Sequence, residues 1–187
     1  MLQYVALLRG INVGGHKNVA MADLIQLCTR LGLKNTRSFL NTGNLIFQAE
    51  KKSERARELL LEEEVKKRLS LETVFCIRDA REWQAVIAGN PLREEARRDP
   101  SHLLVLFLKS PVNATSVKAL QAAIKGPEIV RGKGRQVYIA YPDGIGRSRL
   151  TPSLIESKLG TRGTGRNWNT VLKIGAMTAS PERNDAH

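Results

Sequence analysis

Arginine, asparagine and glycine crowd into two short stretches near opposite ends of the chain. Residues 7–15 read Leu-Leu-Arg-Gly-Ile-Asn-Val-Gly-Gly, and residues 165–171 read Gly-Arg-Asn-Trp-Asn-Thr-Val. These are types that hold anions and amides. A guanidinium fork matches two oxygens of a carboxylate or phosphate at once. Successive backbone amides in a glycine-bearing loop ahead of a helix favour an anion. The candidate ligand-binding residues are therefore Arg9, Gly10, Asn12, Gly14, Gly15 and Lys17 in the first loop, Asn44 in a later turn, and Arg162, Arg166 and Asn167 at the second. The expected chemistry is the grip of a phosphate-bearing ligand, a nucleotide or phosphorylated metabolite, in one cleft where the two motifs meet. The first loop is neither a Walker loop nor a dinucleotide fingerprint, because the glycine spacing fits neither. Each motif also has a purely structural reading. Arg9 and Asn12 would satisfy loop carbonyls, residues 41–44 would be a turn, Asn167 or Asn169 would cap a helix, and Trp168 would pack in the core.

Catalytic chemistry has little local support. No histidine pair or cysteine cluster stands at metal-ligand spacing, so no metal site and no cofactor is expected. His16, His102 and His187 are isolated, and no Ser–His–Asp or Cys–His arrangement is suggested. General acid–base chemistry would have to recruit Asp23, Asp143 or Glu156, and an enzyme on a small phosphorylated or amide-bearing substrate would need a carboxylate or hydroxyl near the motif loops, for instance Thr42, Thr164 or Asp23, so whether the protein is an enzyme stays open. Charge gives the other reading. The chain has 187 residues and a net charge of +12, and residues 126–175 carry nine Lys/Arg against three Asp/Glu, half of that excess. Such a basic half suits a nucleic-acid backbone, although aromatics at 5% argue against base stacking on a sheet.

The elements that must position these residues follow from periodicity. Residues 4–8 form a buried strand. Met21, Leu24, Ile25, Cys28 and Leu31 repeat at helical spacing, with Gly32 as the stop. Strands over 36–40 and 45–48 flank a Gly-bearing turn, Ser53 caps a helix running to about residue 69, and residues 73–77 form a fourth strand. This β-α-β-β-α-β order is the ferredoxin-like unit. A helix over 80–88 ends at Asn90-Pro91. The second half starts again with a strand at 102–108, a helix at 114–124, a hairpin over 128–131 and 136–141, and a helix at 152–159 closed by Gly160. No final strand is evident, and residues 167–177 read as a C-terminal helix. The fold class expected is α+β, two ferredoxin-like subdomains read as a duplication, with a C-terminal helix. The divisions are residues 1–91, a linker at 92–101, a second subdomain with its helix at 102–179, and a disordered tail at 180–187. Cys28 and Cys76 sit in apolar patterns and read as buried thiols. The absence of a basic leader or a long apolar run points to a soluble cytoplasmic protein without membrane partners. An exposed sheet edge would support a homodimer.

The two motifs also carry a resemblance. The chain is similar to the bacterial domain-of-unknown-function 1697 family of uncharacterised proteins. It matches that family in Leu-Arg-Gly-Ile-Asn-Val-Gly-Gly from Leu8 to Gly15, in the Gly43-Asn44 turn, in Asn90-Pro91, in the strand and glycine turn over 138–146, and in Arg-Asn-Trp-x-Thr-Val from Arg166 to Val171. Thr42 replaces the usual serine before the Gly-Asn turn, and Gly165 replaces the usual alanine before Arg166. The resemblance implies the duplicated ferredoxin-like architecture and no particular substrate.

Overall fold

A strand buried on both faces has to be apolar at every position, and the first strand of each half is written that way. The computed structural model describes residues 1–11 and 18–179. The predicted site positions Asn12, Gly14, Gly15 and Lys17, and the tail at 180–187, lie outside those residues. In β1 (Leu2–Leu8), Tyr4, Ala6 and Leu8 face one core while Val5 and Leu7 face another. The first half continues with α1 (Met21–Arg30), β2 (Lys34–Ser38), β3 (Asn44–Ala49), α2 (Glu54–Leu69) and β4 (Phe75–Asp79). Between the halves run α3 (Ala80–Ala88) and α4 (Arg93–Arg98). The second half is β5 (Leu103–Leu108), α5 (Ala114–Ala123), β6 (Ile129–Lys133), β7 (Gln136–Ala140), α6 (Pro152–Leu159) and β8 (Gly163–Asn167), followed by α7 (Trp168–Ala179).

The sheets have the orders β2-β3-β1-β4 and β6-β7-β5-β8, antiparallel throughout. Each is the split βαβ arrangement with its first strand central. Three cores separate the layers. One lies between the first sheet and α1 with α2, and one between the second sheet and α5 with α6. The third brings Val5, Leu7 and Ile46 together with Val105, Phe107 and Tyr138, and it is closed by Trp83 of α3 and by Trp168, Val171 and Ile174 of α7. Trp83 stacks on Phe107 with ring centroids 4.7 Å apart, and its indole N–H donates to the carbonyl of Val171 at 3.0 Å. Both cysteines are buried as read, and burial pushes their thiols up, Cys28 to about 12 and Cys76 to about 11. Among the described residues no helix is long and apolar enough to cross a membrane.

Two expectations are corrected, the missing final strand and the bounds of the fourth strand. The second half does have a final strand, β8, and the C-terminal helix begins after it. Its Gly-Thr-Gly start has no strand propensity of its own. The strand exists because it pairs with β5, and at Gly163 a Cβ would lie 2.4 Å from the carbonyl oxygen of Phe107. The linker at 92–101 contains α4 and a 3-10 turn, Pro100–His102, anchored by Leu92, which is buried and donates its N–H to Asn90 Oδ1 at 2.8 Å. The fourth strand runs two residues later than expected, with Asp79 both ending it and capping α3.

Each half makes the same bonds to the other. Val5 is paired with Arg78 in the first sheet, and Val105 with Arg166 in the second. Arg78 donates to the carbonyls of Leu108 and Arg135, where β5 ends and β7 approaches. Arg166 donates to those of Leu8 and Gly43, where β1 ends and β3 approaches. Within each half those two positions are themselves bonded, Leu8 N–H to Gly43 and Leu108 N–H to Arg135, both at 2.8 Å. Such an exchange is what a duplicated unit packed against its own copy produces.

Candidate functional site

Arg166 is a frame residue. Its strand puts the side chain on the same face as Thr164, aimed at the end of β1. It donates to Asn44 Oδ1 (2.5 Å), Thr164 Oγ1 (2.8 Å) and the carbonyls of Gly165 (2.8 Å), Leu8 (2.9 Å), Gly43 (3.1 Å) and Thr42 (3.2 Å). A guanidinium has five N–H donors, so all are committed to the protein. No carboxylate bonds it among the described residues, and burial pulls its pKa down to about 10, which leaves it charged near neutrality. Asn44 is fully buried and also donates to the Phe39 carbonyl at 2.8 Å, fixing the turn that carries Gly43. That turn needs glycine. Gly43 has φ +80°, and a Cβ there would meet Ile11 and Leu8 at 2.9–3.0 Å. Asn167 accepts the Thr170 N–H at 3.2 Å and so caps α7, while Trp168 is buried.

Arg9, Gly10 and Arg162 come together elsewhere. They line an open cleft of about 820 Å³ where the halves meet, opposite Leu59, Glu62, Glu63 and Lys66 of α2. The floor is carried by the sheet ends, where Arg9 N–H donates to the Val74 carbonyl and, in the copy, Lys109 N–H donates to that of Arg162. Arg9 pairs with Glu156 of α6. Lys109 in the matching position pairs with Glu58 at 2.9 Å and Glu62 at 2.7 Å of α2. Arg162 is exposed, and among the described residues its side chain makes no ion pair. The two predicted motifs thus meet, but with separate duties. Arg166, Asn44 and Asn167 hold the frame, and Arg9, Gly10 and Arg162 face the cleft.

An acidic wall that spacing alone does not announce faces this cleft. Glu54, Glu58 and Glu62 recur every fourth residue of α2, on one helix face. The side chains of Glu58 and Glu62 accept the edge N–H groups of Ile77 and Phe75, both at 2.8 Å, so they cover an otherwise unpaired strand edge. Arg135 joins Glu54 at 2.6 Å and Glu58 at 3.0 Å. Beyond it, oxygens of Glu54, Asp79 and Glu82 lie within 4.8 Å of one another. Asp79 and Glu82 form a capping box on α3, so their carboxylates already serve the helix start. The isolated His102 has a partner too, since its Nδ1 lies 3.0 Å from Asp99 Oδ2. The nearby Ser101 hydroxyl donates to Asp99 and not to the imidazole, so the three make no nucleophilic relay.

The carboxyl group of Glu82 is pushed up to about 7, by burial first and then by the hydrogen bond it shares with Glu54. Burial pushes Glu54 up as well, yet its bonds to Glu82 and Arg135 hold it below the usual carboxylate range. Between about pH 4.5 and pH 7 the folded protein keeps a Glu82 proton that the unfolded chain has released. Stability from this group is therefore full below that window and is lost as pH rises through it. Wild type should lose more stability between pH 5 and pH 7.5 than Glu82→Gln, which preserves the cap. Urea midpoints at the two pH values measure it, and equal losses would remove the shared proton.

The fold and its reciprocal arginine frame define a duplicated ferredoxin-like α+β protein. The chain belongs to the family described as protein of unknown function (DUF1697), whose model matches residues 1–138. Among solved structures it is similar to a conserved bacterial protein from Streptococcus pneumoniae, with a TM-score of 0.68 and 24% identity over 95% of this chain and 98% of that one. That likeness is one of fold. No curated protein matches the chain.

Proposed function

We propose that the protein binds a phosphate-bearing small molecule, a nucleotide or phosphorylated metabolite, in the cleft between its halves. One observation carries the reading: Arg9 and Arg162, from different halves and near opposite ends of the chain, line the same open cleft. Arg162 is available to an incoming oxyanion. Arg9 is bound to Glu156 through a pair about a third exposed, and such pairs are worth only about 0–1 kcal/mol. A phosphate can replace that carboxylate at low cost. Catalysis has weaker support. Thr42 and Thr164 are tied into the Arg166 frame, Asp23 and Asp143 are outside the cleft lining, and Glu156, which does line the cleft, has its carboxylate held by Arg9. The sheet faces that RNA-recognition modules use for base stacking are filled here by the three cores except beside β5 and β8, where the half-buried strand residues Leu104 and Leu106 are aliphatic.

Calorimetric titration with inorganic pyrophosphate tests the reading. Arg162→Ala should weaken binding by at least about tenfold, since a hydrogen bond to a charged group is worth roughly 1.5–3 kcal/mol. As a surface change it should shift stability by only about 0.5 kcal/mol. Unaltered affinity would take Arg162 out of the site. A short duplex that binds more tightly than pyrophosphate and releases steeply with salt would favour the backbone-binding reading instead.

A further inference from the structure

A second depression opens on the far side of the Arg9–Glu156 pair, and its chemistry is opposite. It encloses about 300 Å³ and shares Arg9, Gly10 and Glu156 with the polar cleft. Its walls are Leu104 and Leu106 of β5, Ile145, Leu150 and Ile155, with Thr164 at the polar end. The cause lies in the second half's helix lengths. The helix before β8, α6, has 8 residues where α2, its counterpart before β4, has 16. That leaves the β5–β8 part of the outer face incompletely covered. Leu104 and Leu106 stay half-buried and Ile145 is 49% exposed, so the groove offers an aliphatic surface to an apolar chain. The shared end is polar and holds one charge of each sign, Arg9 and Glu156. Thr164 is bonded to the buried Arg166 guanidinium, which has no bonded carboxylate, and Arg9 stands beside it.

We infer that the ligand is amphiphilic, with its phosphate at Arg9 and Arg162 and an apolar chain laid across the Arg9–Glu156 pair into the groove lined by Leu104, Leu106, Ile145, Leu150 and Ile155. The inference rests on the phosphate-binding reading and names the class of ligand for it. Nothing covalent is required. The chain leaves water for an aliphatic wall, and affinity should rise by on the order of tenfold for every two methylenes buried.

Methyl phosphate and octyl phosphate, titrated separately into the full chain, provide the test. Octyl phosphate should bind at least about tenfold more tightly than methyl phosphate, the gain expected from two buried methylenes. Leu106→Asn should abolish that difference without changing the affinity for methyl phosphate. Ile145→Asn, at an exposed position that does not threaten folding, should reduce the difference. Equal affinity of the two phosphates would overturn the amphiphile and leave the phosphate reading standing. A gain that survives both substitutions would place the chain elsewhere and overturn the groove. Failure of both phosphates to bind would overturn the two readings together.

Discussion

Arg166→Met destabilises the protein by about 3–5 kcal/mol, because several buried neutral acceptors lose their donor at roughly 1–3 kcal/mol each. For a chain of this size that lowers the melting temperature by on the order of 10 °C. The groups left behind set this cost. Methionine fills much of the volume, but Asn44 Oδ1 and the carbonyls of Leu8, Thr42 and Gly43 lose a donor where water does not replace it. The end of β1 and the turn before β3 then lose their tie to the second half. Arg166→Lys does not rescue the frame, because a compact ammonium cannot span acceptors arranged around a planar fork. Chemical denaturation of the three proteins measures this. A loss below about 1 kcal/mol for both variants would show that the frame contributes little.

Trp83→Ala has the second large effect, about 3–5 kcal/mol from the lost apolar surface and the cavity left behind. Trp83 is fully buried, stacks on Phe107 of the second sheet and donates to Val171 of α7, so it ties the sheets and the closing helices together. Trp83→Phe keeps a six-membered ring against Phe107 but loses the fused pyrrole ring with its N–H, for a smaller cost of about 2 kcal/mol. Both variants lose the indole hydrogen bond, so their difference in urea measures the packing of the aromatic ring. If alanine cost no more than phenylalanine, the central core would not depend on this residue.

Much of the architecture was legible because the hydrophobic effect writes itself into spacing. The helical repeat from Met21 to Cys28, the cap at Ser53 and the continuous apolar run of β5 place their elements within a residue or two. What was not legible is the part set by contacts between distant segments. β8 begins with Gly-Thr-Gly, and only its closeness to β5 makes glycine the residue that fits. The roles of the arginines depended on that strand. Arg166 shares a face with Thr164 only once β8 is known, and only then does its side chain point into the junction and not at a ligand. Arg78, its counterpart, falls just past the strand expected at 73–77, and the shared arginine opposite a valine lies inside two otherwise unlike sequences, so only register and bonding partners bring the pair to light. The α2 carboxylates at every fourth position were visible, yet a charged helix face ordinarily means solvent. Their partners Lys109 and Arg135 come from the other half.

The central claim divides the motif arginines by duty, with Arg166 building the frame and Arg9 and Arg162 meeting the ligand. Side-chain Nε–Hε resonances of arginine in labelled protein report on each separately. On addition of pyrophosphate, the resonances of Arg9 and Arg162 should shift while that of Arg166 stays in place. A shift of Arg166 with Arg9 and Arg162 unmoved would contradict the account.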